Sequence, residues 1–373
     1  MAKILVLGGA GAMGQIAVHD LANTCQNVEV VIGDINLARA EEIKENLKKD
    51  FLSTCKVDIS NDESLVAAMT GVDCVVNATP YYFNLNVMNA ALKTGTHYVD
   101  LGGLYHETVK QLKLDKEFRE KGLLAVLGMG ACPGTTNVMT EAGARDLDTI
   151  EDVIIYCAGF EEVPVDHPFL PPYMLDTILD EYTLDAVVFE NGELKNVPPL
   201  SKEETVVFDK PVGKQSVIPT IHSELATIPV TYKERGIKNC AFMLALDPEF
   251  HQKLKFLVAL GFGSKQDIEL EGKAFNPRKV LSTMINNIEV PDERVDDLEI
   301  LRVDVKGKKG KEEQLVRVEV LSTTNQKTLI GGADLNTGVP PSVVSQMIVG
   351  KQLKEKEGVH PPEICVDPDK YFS

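Results

Sequence analysis

The chain has 373 residues, with 38 Lys and Arg against 56 Asp and Glu, which gives a formal net charge of −18. This length predicts about two or three domains, each large enough to bury a hydrophobic core. The excess of acid argues against binding to nucleic acid or to an anionic membrane, because both need a basic face. We therefore expect the partners to be small molecules or copies of the same chain.

The cysteine and histidine patterns exclude two further kinds of site. The seven cysteines are scattered, with no C-x-x-C pair, which is typical of thiols in a reducing compartment. The seven histidines show no ligand spacing, so we expect no metal site. No apolar run approaches the ~18 residues that span a bilayer, and the apolar opening is followed by glycines, not by a cleavage signal. The sequence therefore predicts a cytoplasmic protein.

Short apolar runs alternate with amphipathic stretches over the first 130 residues. Runs rich in branched residues are typical of buried parallel strands, and the stretches between them have helical spacing. The predicted strands are 3–7, 28–32, 55–59, 73–77, 96–100 and 123–127, and the predicted helices are 15–22, 38–47, 63–69, 86–92 and 105–120. This alternation predicts an α/β fold with a doubly wound parallel sheet of the Rossmann type. Such sheets bind ligands at the carboxyl ends of their strands, where the strand order reverses.

The first predicted turn carries the sequence GGAGAMG, residues 8–14. In a dinucleotide-binding turn Gly9 would permit the tight turn, Gly11 would let the backbone approach a pyrophosphate, and Gly14 would let the helix pack closely. The helix N-terminus, at Ala12 and Met13, would attract the phosphate charge. A glycine-rich turn in an unrelated fold is the alternative.

Asp34 follows Gly14 by about 20 residues, at the end of the second predicted strand. A carboxylate there can accept both ribose hydroxyl hydrogens and would repel a 2′-phosphate. No arginine follows it directly, since Arg39 is the nearest one downstream. The sequence therefore favours NAD over NADP.

Polar residues follow the later strands at the same edge of the predicted sheet. Asp58 would flank the adenine, Asn77 and Thr79 would lie along the cofactor, and Asp100 and Gly102 would lie on the nicotinamide side. A plain role in a turn is the alternative for each of them.

Longer motifs show a family resemblance. No tyrosine has a lysine four residues later, which excludes the short-chain dehydrogenases. The chain resembles the saccharopine dehydrogenase-like family, and its length and its ending GVHPPEICVDP (358–368) are most similar to the lysine 6-dehydrogenase branch. The motifs that carry the resemblance are GGAGAMG (8–14), VVNATPYYFN (75–84), HYVDLGG (97–103), LGMGACPGTTN (127–137) and TGVPPSVVSQMI (337–348).

The resemblance implies a nucleotide domain interrupted by a substrate domain. Residues 1–132 and 337–373 would form the NAD-binding domain, and residues 133–336 the α+β domain for substrate binding and dimerisation. The residues agree, because parallel alternation stops after about residue 145 and a mostly antiparallel sheet is indicated. Its predicted elements are strands 153–156, 254–260, 267–271, 299–305 and 314–320, a turn at 307–311 and a helix at 277–288. A final helix is predicted to start at residue 338, with prolines in its first turn.

The resemblance also implies a reaction. A lysine 6-dehydrogenase oxidises the ε-amine of L-lysine with NAD to 2-aminoadipate 6-semialdehyde. The alternative within the family is a saccharopine dehydrogenase or reductase that acts on a secondary amine of an amino-acid conjugate. The acidity of the chain favours a small cationic amino-acid substrate, and we expect a homodimer. A catalytically silent protein that binds NAD is a third reading.

Such a reaction needs a proton acceptor and an anchor for the substrate carboxylate. His222 and Glu224 lie two apart on a predicted extended segment, so their side chains point the same way. With Asp100 they are the catalytic candidates, and a surface loop is the alternative. The substrate-binding candidates are Asn137, Tyr82 and Lys238, the last as the carboxylate anchor.

Overall fold

The computed structural model describes residues 1–162, 169–288 and 296–373. Two sheets dominate these residues, one of seven strands and one of eight, and a separate two-stranded hairpin lies beside them. The predicted fold class is confirmed, because one sheet is parallel throughout and the other is mostly antiparallel.

The strands of the parallel sheet are β1 Ala2–Leu7, β2 Val28–Asp34, β3 Leu52–Lys56, β4 Cys74–Asn77, β5 His97–Asp100, β6 Leu124–Val126 and β17 Gly358–His360. They lie in the order β17-β6-β5-β4-β1-β2-β3. The order reverses between β1 and β4, where Gly8 and Ala78 follow the strand ends. A Cβ on Gly8 would lie 2.8 Å from the Ala78 carbonyl oxygen, so the two turns are in close contact at this switch point.

Helices cover both faces of this sheet. They are α1 Ala12–Thr24, α2 Leu37–Leu47, α3 Asp62–Met69, α4 Asn84–Thr94, α5 Tyr105–Gln111 and α6 Asp115–Glu120. The third strand lies three residues before its predicted position. Val57 and Ile59, which suggested a strand at 55–59, instead pack into the core from the turn after β3.

The strands of the second sheet are β7 Thr149–Glu162, β8 Ala186–Glu190, β9 Glu193–Val197, β10 Glu204–Val207, β11 Lys214–Pro219, β12 Asn239–Ala245, β15 Asp296–Lys309 and β16 Glu312–Thr323, and the separate hairpin is β13 Ile268–Leu270 with β14 Lys273–Phe275. The order in the sheet is β10-β11-β12-β7-β15-β16, with β8 paired to β12 and to β9. Among its strand pairs in the described residues, only β7 and β12 are parallel to each other. Period-two patterning predicted β15 and β16, although both are longer than predicted.

The remaining helices connect and cover the two sheets. They are α7 Thr135–Ala144, α8 Leu175–Thr183, α9 Glu224–Thr231, α10 Pro248–Ala259, α11 Pro277–Asn286, α12 Gly332–Val349, α13 Pro362–Cys365 and α14 Pro368–Tyr371. Among the described residues, no helix combines the length and the apolar character that crossing a bilayer requires.

The prediction of a strand at 254–260 is wrong, because this apolar run belongs to helix α10. Asp247 caps the helix by accepting from the N–H groups of Glu249 and Phe250, and Pro248 occupies the first turn. Phe250 and Leu254, four residues apart, are both buried. A short apolar run does not distinguish a buried strand from one face of a helix. Here the N-cap at Asp247 identifies the run as part of a helix.

The prediction that a helix starts at residue 338 is also wrong, since α12 begins at Gly332. The Asp297 carboxylate accepts from the N–H groups of Gly332 and Ala333, at 2.6 and 2.9 Å, and so fixes the start of the helix. Pro340 and Pro341 therefore lie inside α12. Burial of α12 against the first sheet compensates for the two backbone donors that prolines lack.

The end of the chain returns to the parallel sheet as a strand as well as a helix. Backbone pairing places β17 beside β6, which the sequence did not predict. Helix α12 packs on α1, where a Cβ on Gly338 would lie only 2.6 Å from the Ile16 Cβ atom. The parallel sheet is thus built from two separate stretches of chain.

The assignment of α10 can be tested by a pair of substitutions. We expect Leu254→Ala to lower the free energy of unfolding by about 2–5 kcal/mol, because the side chain is 0% exposed. Phe256→Ala should change it by less than about 0.5 kcal/mol, because that ring is 63% exposed. Urea denaturation followed by circular dichroism measures both. On a strand these residues would share one face, so similar losses for the two variants would contradict the helix.

Candidate active site

The glycine-rich turn between β1 and α1 has the geometry of a phosphate-binding loop. The left-handed residue is Gly8, with φ of +70°, so the assignment of the tight turn to Gly9 is wrong. Gly9 instead packs on β2, where a Cβ would lie 2.8 Å from the Ile32 Cγ2 atom. Gly14 is required by close packing as predicted, since its Cβ would lie 2.0 Å from the Gly8 carbonyl oxygen.

The outer side of this loop fits a dinucleotide. Gly11 is exposed, and a Cβ there would meet only the Gly8 carbonyl oxygen, at 3.2 Å, among the described atoms. Gly11 is also the residue that precedes α1, and it has no side chain to cap Ala12 and Met13 in the first turn. Their N–H groups have no acceptor within the helix, so they can bind a pyrophosphate.

Asp34 lies beside this loop at the end of β2. Its carboxylate accepts from the N–H groups of Ala10, at 3.0 Å, and Asn36, at 2.9 Å. Arg39 is engaged by Glu42 at 2.8 Å. Ile35, 63% exposed, adds an apolar surface next to the carboxylate that the sequence analysis did not single out. The Asp34 carboxylate can accept hydrogen bonds from a ribose, and the Ile35 side chain can pack against the flat face of a base.

Two of the other cofactor candidates make local contacts. The Asp58 carboxylate accepts from the hydroxyl and the N–H of Ser60, and these hydrogen bonds lower its pKa. Asn77 is buried, and its carbonyl oxygen accepts from the Thr79 hydroxyl at 2.6 Å. The Asn77 amide donates to Asn84, which in turn donates to the Gly102 carbonyl oxygen. This network joins the carboxyl ends of β4 and β5.

Asp100 is a fully buried carboxylate with four donors. It accepts from the Tyr98 hydroxyl at 2.7 Å, the Gln111 amide at 2.6 Å, and the N–H groups of Gly102 and Gly128 at 2.9 and 2.6 Å. Burial raises its pKa, while these donors lower it. With both oxygens occupied and no exposed surface, Asp100 anchors the turn and is not placed to exchange a proton with a substrate. Its proposed catalytic role is not supported by these contacts.

Two contacts join the ends of the parallel strands to the second domain. The Tyr81 hydroxyl, after β4, donates to Asp180 on α8 at 3.0 Å. The Ser223 hydroxyl, before α9, donates to the carbonyl oxygen of Gly103, after β5. The residues adjacent to these contacts are Glu181 and His222, and both are buried at the junction of the domains.

His222 and Glu224, which were predicted to point the same way, form a buried pair. The His222 Nδ1 atom lies 2.5 Å from a Glu224 carboxylate oxygen, and because a carboxylate only accepts, Nδ1 carries the proton. The ring stacks on Phe242 with centroids 3.7 Å apart. The predicted extended segment is wrong, however, because Glu224 is the first residue of α9 and the turn at Ser223 brings the pair together.

The surroundings of this pair favour a charged imidazole. Burial alone would lower the pKa of His222, but the Glu224 carboxylate and then Glu181 raise it above its ordinary value. The other Glu224 oxygen accepts from the Thr136 hydroxyl, on α7, at 3.0 Å. Since Nδ1 faces Glu224, Nε2 is the ring nitrogen that can exchange a proton.

Three residues of the second domain complete the junction, and sequence reasoning missed them. Asp180 pairs with Arg278 at 2.6 Å and with Lys265 at 2.8 Å. Burial would raise the pKa of Asp180, but these two cations lower it. A buried arginine paired with an aspartate 98 residues away leaves no pattern in the sequence.

The three substrate-binding candidates do not converge. Asn137 is buried, and its side chain accepts from the N–H of Gly134 and donates to Glu363 at 2.8 Å, so it is committed to the protein. Tyr82 is 59% exposed beside Tyr81. Lys238, just before β12, is paired with Glu151 at 3.2 Å on the surface, and the structure does not bring it to His222. No metal-binding group of three His, Cys, Asp or Glu side chains occurs within residues 1–162, 169–288 and 296–373.

Two protein-family models together match nearly the whole chain. Residues 4–126 match the model of the saccharopine dehydrogenase NADP binding domain, and residues 130–373 match that of the saccharopine dehydrogenase C-terminal domain. The chain belongs to the saccharopine dehydrogenase family. The resemblance stated from the motifs is thereby confirmed at the level of the family, and the lysine 6-dehydrogenase branch stays a prediction.

Two relatives can be aligned with about three quarters of this chain. Carboxynorspermidine synthase from Vibrio cholerae is 27% identical over 309 residues, 74% of this chain and 71% of that protein. Carboxyaminopropylagmatine dehydrogenase from Synechocystis is 22% identical over 296 residues, 76% of this chain and 72% of that protein.

Solved structures show the same fold over the whole chain. Saccharopine dehydrogenase (L-Glu forming) from Saccharomyces cerevisiae has a TM-score of 0.76 at 15% identity, covering 100% of this chain and 96% of that one. Homospermidine synthase from Legionella pneumophila, solved in complex with NAD, has a TM-score of 0.66 at 11% identity, covering 100% and 88%.

The pairing of His222 with Glu224 predicts a shifted titration. We expect Glu224→Gln to lower the pKa of His222, because the substitution removes the nearer of the two carboxylates that favour the charged ring. An NMR titration of the ring proton measures this, with the signal assigned by its loss in His222→Asn. Glu141→Gln, on α7, is the matched control, since Glu141 contacts Tyr232 instead. Equal His222 pKa values in the Glu224→Gln variant and the parent protein would contradict the pair.

Proposed function

We propose that this protein is an NAD-dependent oxidoreductase that acts at a C–N bond of a cationic amine. The observation that carries the proposal is the buried His222–Glu224 pair at the junction of the domains, beside the Ser223–Gly103 contact. The family supports pyridine-nucleotide chemistry, and the position of the pair supports proton transfer next to the strand ends that bind the cofactor.

The reaction requires the amine to lose a proton, because only the neutral nitrogen assists departure of hydride from the adjacent carbon. The dinucleotide, when bound along residues 8–14, supplies the hydride acceptor. Nε2 of His222 takes the proton of the amine, and Glu224 stabilises the imidazolium through Nδ1. The C–N single bond becomes an imine, water adds to its carbon, and cleavage of the C–N bond then releases an amine and a carbonyl compound. Run in reverse, the same steps join an amine to a carbonyl compound.

The second domain limits the access of water to this step. Phe242 covers one face of the imidazole, and the Tyr81–Asp180 and Ser223–Gly103 contacts hold the domains together beside it. Exclusion of water strengthens the interaction of His222 with Glu224 and, in the direction that joins an amine to a carbonyl compound, protects the imine until it is reduced.

The assignment of NAD rests on Asp34, which would repel a 2′-phosphate at the end of β2. We expect the parent protein to bind NADH more tightly than NADPH, and Asp34→Ser to reduce that preference by about tenfold or more, which corresponds to ~1.4 kcal/mol. Fluorescence titration with both nucleotides measures the ratio. Asp50→Ser, which removes an exposed acid elsewhere in the same domain, should leave the ratio unchanged. A parent protein that prefers NADPH would contradict the assignment.

Two substrate classes fit this site. The lysine 6-dehydrogenase resemblance points to the primary ε-amine of L-lysine. The names of the relatives point to a secondary amine that links a carboxyalkyl group to a polyamine, since carboxynorspermidine and carboxyaminopropylagmatine are compounds of that kind. We place the secondary amine first, because these relatives match most of the chain.

A panel of substrates tests the proposal. We expect NADH oxidation when a carboxylated semialdehyde is supplied with 1,4-diaminobutane, 1,3-diaminopropane or agmatine, and slower NAD reduction with L-lysine or saccharopine alone. Turnover of L-lysine without any turnover of the carbonyl and diamine mixtures would restore the primary amine as the substrate. His222→Asn should lower kcat at least 100-fold in whichever reaction is found. Binding of NADH without turnover of any amine would contradict the enzymatic function.

A further inference from the structure

We propose that Glu181 is a specificity-determining residue that binds the second, non-reacting ammonium group of the substrate. The inference rests on the proposed function, because it assigns a role to a residue beside the His222–Glu224 pair. Glu181 would make the protein prefer substrates with two amino groups over monoamines of the same length.

The first argument is the contrast between two neighbouring acids on α8. Asp180 and Glu181 are buried to a similar degree, at 3% and 4% exposure. Asp180 is neutralised by Arg278 and Lys265. Glu181 has no lysine or arginine within ion-pair distance in the part of the chain that the structure describes. Its one hydrogen-bond donor there is the Tyr173 hydroxyl, at 2.5 Å.

A buried carboxylate is costly unless a positive group lies near it, and among the described residues the group that can play this part for Glu181 is the His222 imidazole in its charged form. Burial raises the pKa of Glu181 to about 7, although the nearby His222 lowers it. When His222 is neutral, as it must be to accept a proton, an ammonium group at Glu181 supplies the positive charge and favours ionisation of this carboxylate.

A second, independent observation comes from Thr220, the residue that follows β11. Its hydroxyl oxygen is fully buried and has no hydrogen-bond partner among the described residues. Its N–H donates to the carbonyl oxygen of Phe242, the residue on which His222 stacks. An open acceptor thus lies in the same loop as His222. An ammonium group has three donors and no acceptor, so both this hydroxyl oxygen and the Glu181 carboxylate are suitable partners for it.

The position of Glu181 next to the proton acceptor explains why it would bind the distal group and not the reacting one. His222 needs the reacting nitrogen to be neutral, whereas a carboxylate stabilises the charged form. The acidic side of the junction, Glu181 and Glu224, also opposes a second carboxylate at this end of the substrate. One end of a diamine then loses its proton at His222 while the other stays charged at Glu181.

The test compares paired amines that differ by one ammonium group. The pairs are 1,4-diaminobutane against 1-aminobutane, and L-lysine against 6-aminohexanoate. The ratio of kcat/KM within a pair is measured for the parent protein and for Glu181→Gln, with Glu181→Asp as the variant that keeps the charge. Glu363→Gln is the matched control, because Glu363 is also a buried carboxylate held by amide and hydroxyl donors.

We expect the parent protein to favour the amine with two nitrogens by about 10- to 100-fold, as a charge-assisted hydrogen bond provides. Glu181→Gln should bring the ratio close to one, Glu181→Asp should retain part of it, and Glu363→Gln should leave it unchanged. An unchanged ratio in Glu181→Gln, or an equal loss in Glu363→Gln, would overturn the inference.

Calorimetric titration of the same amines into the protein with bound NADH separates this inference from the proposed function. A preference for 1,4-diaminobutane that disappears in Glu181→Gln supports the inference even if no amine reacts, and in that case only the proposed function fails. Equal binding of 1,4-diaminobutane and 1-aminobutane by the parent protein would overturn the inference even if turnover is observed.

Discussion

The carboxylate of Asp100 fixes the sheet edge on which the rest of the structure depends. Its four donors come from β5, from α5 and from the turns after β5 and β6. The turn after β5 contains Gly103, whose carbonyl oxygen accepts a hydrogen bond from Ser223 of the second domain. The turn after β6 leads into α7, where Thr136 supports Glu224. A buried carboxylate with both oxygens in use thus sets the spacing between the carboxyl ends of the parallel strands and the His222–Glu224 pair.

Much of the first domain could be predicted from the sequence, because a buried parallel strand is a local pattern. The predicted strands 3–7 and 73–77 each contain a short apolar run, Ile4–Leu7 and Cys74–Val76, that is closed by glycine or by a polar residue, as is typical of a buried strand. The second domain was harder for the same physical reason. The run at 254–260 has the composition of a strand, and only the cap at Asp247, outside the run, makes it a helix.

Residues of the candidate site could be predicted from the sequence only where reactive side chains also showed a recognisable spacing. His222 and Glu224 stood out because two ionisable residues lie two apart in the compact polar cluster 220–224, although the local structure that joins them is a turn into a helix. Glu181 and Asp180 lie on an amphipathic helix, where acids are ordinary surface residues in most proteins. Only the tertiary structure shows that this face of α8 is turned inward, toward Tyr81 and His222.

Because β17 lies near the end of the chain, the parallel sheet is completed only late in synthesis. The parallel sheet gains its seventh strand from residues 358–360, which leave the ribosome after the whole of the second domain. Domains tend to fold as they emerge, so β1 to β6 must wait with an open edge at β6 while about 230 residues are added. An unpaired edge is the part of a nascent sheet most open to wrong pairing. The shortness of β6, three residues, limits that exposure during synthesis.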